Sequence, residues 1–256
     1  MSPAIRLGAT GFGLIAVCYG FARFAFGLFL PAISADFGLS SSLAGIMSAA
    51  SFLGFCLAIA IAAWLTERIG PRLVAVTAGV TAAAGMIGIA GASSPAWLAV
   101  AVILAGSSTG LASPALAAAV TAMLPPAKQD ATNTFINAGT SAGVALSGPV
   151  AALMGAEWRL AYAGFAGASI MMVAATLKVL SAGTPRPGNH MPFLPPLSSD
   201  LKRLAAAAGL SGRRARWSGV SAPTCWRPIL TGAVARSACC GRSWGVRVWW
   251  GPWPVR

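Results

Sequence analysis

Residues 7–30 read LGATGFGLIAVCYGFARFAFGLFL, twenty-four positions with one charged side chain, Arg23, and no proline. A helix crossing the roughly 30 Å hydrocarbon layer of a bilayer needs about 20 mostly apolar residues, so this stretch predicts a membrane span. Arg6, just ahead of it, gives the look of a secretory signal, but the run is longer than the apolar part of one. Five more runs of the same kind follow, at 43–65, 73–91, 96–124, 131–154 and 160–182. The first is therefore read as a retained helix, and the fold class as all-α, a polytopic membrane protein of six transmembrane helices. Breaks are read at 31–42 with Asp36, 66–72, 92–95, 125–130 and 155–159, where proline, glycine or charge interrupts the apolar pattern.

Composition points the same way. Of 256 residues, 57% are apolar and 9% charged, and the mean hydropathy is +0.74. A soluble domain carries roughly 25% charged residues. Five acidic side chains cannot solvate a globule of this size, whereas lipid accepts such a chain as helices. The net charge of +13 is uneven: residues 1–182 hold seven basic and four acidic side chains, net +3, and residues 183–256 hold eleven basic side chains and only Asp200, net +10.

Positive charge in short loops sets orientation. A cytoplasmic N-terminus puts Arg6, Arg68, Arg72, Lys128, Lys178, Arg186, Lys202 and Arg203 on the cytoplasmic side, and leaves Asp36, Glu157 and Arg159 on the other. The expected location is the inner (plasma) membrane, multi-pass. Helices pack closely in lipid through small residues. Here Gly13, Gly20 and Gly27 recur every seven positions, Gly106 and Gly110 form one GxxxG, and Gly139 and Gly143 form another, followed by Gly148 and Pro149. Packing contacts are expected at these positions.

Two places carry chemistry. Arg23 is an intramembrane charge, which costs at least about 3 kcal/mol at mid-bilayer and marks a functional candidate. Tyr19 lies one turn before it and shares its face on an α-helix. Two placements fit: an aqueous cavity, where the planar guanidinium recognises an anion, or a snorkelling side chain, since Arg23 is sixteen residues beyond Leu7 and within reach of the interface. The second place is residues 63–72, AWLTERIGPR, where Glu67, Arg68 and Arg72 surround Gly70, a residue free to turn sharply.

That decapeptide resembles the loop between helices two and three of the major facilitator superfamily, Gly-x-Leu-Ala-Asp-Arg-x-Gly-Arg-Lys. Leu65, Arg68, Gly70 and the final basic residue, Arg72, are kept; Ala63, Thr66, Glu67 and Pro71 depart from it. Residues 19–31 look like the first helix of the YbfB/YjiJ-type branch, Ser147-Gly148-Pro149 resembles the glycine-proline element of the fifth helix, and Glu157-Trp158-Arg159 the usual start of the sixth. The resemblance covers about residues 5–182. It implies a secondary transporter for a small solute that rocks two six-helix halves about a midplane site. Its cavity would be lined from helices one and four, with Tyr19 and Arg23 of helix one the first candidates, and Glu67, Arg68, Gly70 and Arg72 would form a gate. Proton coupling is an option the family offers, although Gly106 stands where many members have an arginine four residues before a glycine.

The transporter pattern stops after residue 182. Residues 183–204 read as a proline-rich cytoplasmic linker. Residues 205–256 hold eight arginines, six of nine tryptophans, three of five cysteines and no acid, and no charge-free run after Arg213 exceeds ten residues. A seventh span is not expected. The preferred reading is an out-of-frame remnant of the second half, whose signature is an apolar helix-seven pattern in another reading frame; the alternative is a basic arm on anionic lipid headgroups. The tail shows no nucleic-acid-binding motif, so no nucleic-acid partner is expected. The expected partners are the bilayer, a solute, and a second copy of the chain replacing the missing half. An inactive half-transporter and a membrane scaffold remain the other classes. No phosphate loop, dinucleotide fingerprint, paired acids or metal-ligand spacing occurs, and His190 stands alone in the linker. Neither an enzyme nor a cofactor nor a metal is expected.

Overall fold

A computed structural model describes residues 2–180, and the expectations for the linker and tail lie outside that range. Within it, six helical rods run back and forth: α1 (Pro3–Phe37), α2 (Ser41–Ile69), α3 (Pro71–Ala90), α4 (Pro95–Met123), α5 (Pro126–Met154) and α6 (Trp158–Val179). There is no β-strand among the described residues. The six expected spans are thus found, each inside or overlapping one rod. Five rods are long and apolar enough to cross a membrane unaided; α5, which opens with Lys128, Gln129 and Asp130, is long enough but more polar.

The helices begin at the breaks in the apolar pattern. Pro71, Pro95 and Pro126 each sit at the first helical position, where the missing N–H has no intrahelical partner to lose and φ is already helical. Ser2, Ser40 and Ser94 cap the N-termini of α1, α2 and α4, their hydroxyls accepting from the backbone N–H of Ile5, Leu43 and Trp97. The break expected at 125–130 is therefore the first turn of α5. The one expected at 31–42 is mostly helix as well: α1 runs through Pro31 and stops only at Gly38, whose φ of 60° is left-handed.

α1 is also not one regular helix. It is α-helical over Pro3–Ile15 and Ala25–Phe37 and π-helical over Ala16–Phe24, with i→i+5 hydrogen bonding in the stretch that carries Tyr19 and Arg23.

Small residues close the seams, because lipid gives no hydrophobic push between helices and only close contact holds them. Gly106 and Gly110 of α4 lie against Ser51 and the Phe55–Ile59 backbone of α2; Gly139 and Gly143 of α5 lie against the carbonyls of Phe12 and Ala16 of α1. Gly20 meets Gly143 backbone to backbone. Gly27 and Gly148, expected at seams, have nothing within 4 Å of where a Cβ would stand, and Pro149 is exposed. The reason is angular: Gly148 lies about 140° around the helix from Gly143. On the far side of the bundle α3 is tied to α6 by Ser169 Oγ, which donates to the Gly79 carbonyl at 2.8 Å in a fully buried contact.

Candidate functional site

Tyr19 and Arg23 are spaced four residues apart on α1, and α4 answers with Ser113 and Thr109, spaced four apart and running antiparallel. The Tyr19 hydroxyl and Ser113 Oγ are 2.8 Å apart, and Arg23 Nη1 donates to Thr109 Oγ1 at 3.4 Å. Thr109 gives its own proton to the Gly106 carbonyl at 2.7 Å, which leaves its lone pairs toward the arginine. From α2, Phe52 and Phe55 bring their ring faces to 4.2 and 4.4 Å from the guanidinium carbon, a cation–π arrangement. Arg23 is half-buried, and its Nε is buried without a hydrogen-bond partner.

Depth follows from these partners. Thr109 is the midpoint of the 29-residue α4, and Phe55 is the midpoint of the 29-residue α2. The Arg23 side chain thus reaches sideways, to the middle of α2 and of α4. Thr109, Ser113, Phe52 and Phe55 were not singled out from the sequence. Hydroxyls at i, i+4 in an apolar helix were the available signal.

The residues of the 63–72 segment are not in a loop. Glu67 and Arg68 belong to the last turn of α2, Gly70 alone makes the connection, and Arg72 is in the first turn of α3. Gly70 has φ 85° and ψ 158°, a conformation essentially confined to glycine. Arg72 Nη2 donates to the Leu177 carbonyl at 2.8 Å and so ties the start of α3 to the end of α6. Arg68 stacks over Trp64 at 4.2 Å, while Glu67 is exposed and has no hydrogen-bond or ion-pair partner among the described residues.

A profile of the Major Facilitator Superfamily matches residues 12–244. The chain belongs to the major facilitator superfamily. The match runs past residue 182, where the motif resemblance ends. Among curated proteins nothing matches the chain. Solved structures of the peptide transporter POT share the fold: a point-mutant form superposes with a TM-score of 0.60 at 21% identity over 90% of this chain, and the protein in complex with sulfate with 0.56 at 21% over 88%. A third, the mutant in complex with alafosfalin, gives 0.58 at 22% over 85%. The chain spans about half the length of those transporters, 48%, 47% and 46% respectively. The superfamily comprises carriers and not enzymes, and the six rods are one half of its twelve-helix fold.

The opposite end of this major facilitator half carries a clasp. At 35 residues α1 is about 50 Å long, well over the hydrocarbon thickness, so its last turn with Asp36 stands beyond the spanning part. Asp36 Oδ2 accepts from Trp158 Nε1 at 2.9 Å and from Arg159 Nη1 at 2.8 Å, and Arg159 Nη2 reaches the Ala92 carbonyl at 3.4 Å. The indole N–H and then the guanidinium hold the Asp36 carboxyl below the usual carboxylate range. A lowered folded value means that the stabilisation is present above the unfolded value near 4 and is lost as pH falls through the folded one. The pair is solvent-exposed, so the effect is small. Asp36→Asn is expected to lose less melting temperature than the parent between about pH 5 and pH 2.5 in detergent. Identical acid profiles would remove the clasp from the list of stabilising contacts.

Proposed function

We propose that this chain works as one half of a secondary carrier for a small solute, a second copy supplying the other half around a cavity lined from α1 and α4. The observation that carries the reading is the mid-depth placement of the Arg23 guanidinium, against Thr109 and beside the Tyr19–Ser113 pair. An arginine at that depth is expensive in lipid. A water-filled cleft between two six-helix halves relieves the cost, and alternating-access carriers bind their solutes at that level.

α5 supports the same arrangement. Thr134, Asn137 and Ser141 are exposed along one stripe of it, and Asn137 Nδ2 is the one amide donor there satisfied within the helix, by the Asn133 carbonyl at 2.9 Å. Polar groups on a spanning helix favour a protein partner or water over acyl chains. In this reading Glu67 and Arg68, exposed at the end of α2, form a gate with the facing half, and the end bearing Arg6, Arg68, Arg72, Lys128 and Lys178 faces the cytoplasm. The branch that fits this reading is the YbfB/YjiJ type, whose first helix residues 19–31 resemble.

The test uses the full chain in liposomes, with subunits counted by single-molecule photobleaching and flux followed by light scattering against a panel of small neutral and anionic solutes. Two bleaching steps are expected, with flux of at least one solute rising as the square of protein density while pairs are the minority species. Vesicles holding two-step complexes that pass no solute in the panel would end the carrier reading. Flux from vesicles holding single copies would end the pairing.

A further inference from the structure

We propose that Arg23 is the binding group for a singly charged, carboxylate-bearing solute with an apolar body. This rests on the carrier reading and names the class of solute that its cavity takes.

The argument is one of charge accounting. The acidic side chains among the described residues are Asp36, Glu67, Asp130 and Glu157, and each lies at a helix end: the last turns of α1 and α2, the first turns of α5 and the cap of α6. None is near the midpoints of α2 and α4, where the guanidinium sits. Arg23 therefore has no counter-charge among the described residues. Phe52 and Phe55 offer it ring faces, which soften the charge but accept no N–H bond in the manner of an oxygen. Of the five N–H groups of an arginine, one is engaged here, by a long bond to Thr109. With Nε buried, the fork left to a ligand is the one between Nη1 and Nη2, a donor pair that can bind a carboxylate with two parallel hydrogen bonds.

The same accounting limits the ligand to one charge. The other basic side chains among the described residues, Arg6, Arg68, Arg72, Lys128, Arg159 and Lys178, also lie at helix ends, so no second cation stands at this depth to balance a dianion. Room is available on the ligand's side. Gly27, one turn beyond Arg23, has nothing within 4 Å of its missing Cβ, and Phe24, Leu28 and Phe52 are exposed around it at 39%, 45% and 54%. Those surfaces suit an apolar body attached to the carboxylate, and the Tyr19 hydroxyl lies on the same face.

The experiment melts the detergent-purified full chain, by tryptophan fluorescence, with increasing acetate, butyrate or benzoate. Each is paired with its uncharged amide, and inorganic phosphate is a separate arm. At least one carboxylate is expected to raise the melting temperature saturably while its amide and phosphate do not, by mass action on the folded state. Arg23→Gln is expected to lose that rise, and Arg23→Lys to need about tenfold more carboxylate, because a point charge replaces the fork. If Arg23→Gln does not fold, Arg23→Lys and Thr109→Val carry the comparison.

Equal shifts from acid and amide, a shift from phosphate as large as from carboxylate, no shift from any of the three acids, or an Arg23→Lys titration that matches the parent would each overturn the proposal. Failure here is separable from failure of the carrier reading. Flux of a neutral solute without a carboxylate effect sinks only this inference, and carboxylate binding without flux sinks only the carrier.

Discussion

Leucine at position 143 is expected to cost the chain its folded bundle, while leucine at position 148 of the same helix leaves it intact. A Cβ at Gly143 would run into the carbonyl oxygen, carbonyl carbon and Cα of Ala16, and Gly20, about one turn further along α1, packs against the Gly143 backbone as well. Neither neighbour is a side chain that swings away, so α1 and α5 must separate to make room. Over-packing costs about 1–3 kcal/mol where side chains give way, and this contact belongs at or above the upper end. Leucine is a good helix former and is at home in lipid, so the change isolates the clash. Gly148 has nothing within 4 Å of its missing Cβ, and its variant is expected to stay within about 0.5 kcal/mol of the parent. Monodispersity and melting temperature in detergent check both. A Gly143→Leu chain as stable as Gly148→Leu would mean that the α1–α5 seam is not where the helices touch.

The second large effect is expected at Gly70. With φ 85° and ψ 158° it lies outside the compact left-handed region that asparagine tolerates, whereas Gly38, at φ 60° and ψ 36°, lies inside it. Asparagine is therefore expected to be accepted at position 38 and refused at position 70, where the strain is about 1–3 kcal/mol. Refusal has a structural cause. Gly70 is the whole connection between α2 and α3, and it is buried, so no neighbouring loop residue absorbs the misfit. Melting temperatures of Gly38→Asn and Gly70→Asn decide the matter, and similar losses at both positions would show that the turn relaxes.

The spans were legible because lipid imposes a length and a polarity that few sequences meet by accident, as residues 7–30 and 73–91 show. Their ends were less so. Pro71, Pro95 and Pro126 look like interruptions, yet in the first turn a proline begins a helix, and the same residue at Pro31 or Pro149 sits inside one. The π-helical turn of α1 left no trace in the sequence, since its register belongs to a seam in which Gly20 meets Gly143 and not to local preference.

At the site, Arg23 and Tyr19 stood out as polar groups in an apolar run. Their partners did not, because serines and threonines are scattered over these helices and most satisfy themselves on a carbonyl three or four residues back, as Ser108, Thr121 and Thr132 do. Which hydroxyl faces α1 is decided by the glycine contacts that set the rotation of α4.

The polar opening of α5 bears on biogenesis. Insertion machinery releases a nascent segment into lipid when its own transfer energy is favourable, and five of these rods qualify on their own. The rod α5 does not, so its insertion is expected to depend on α1, whose Phe12 and Ala16 carbonyls receive Gly139 and Gly143. Helix α1 is thus expected to act as the docking partner for a rod made after it.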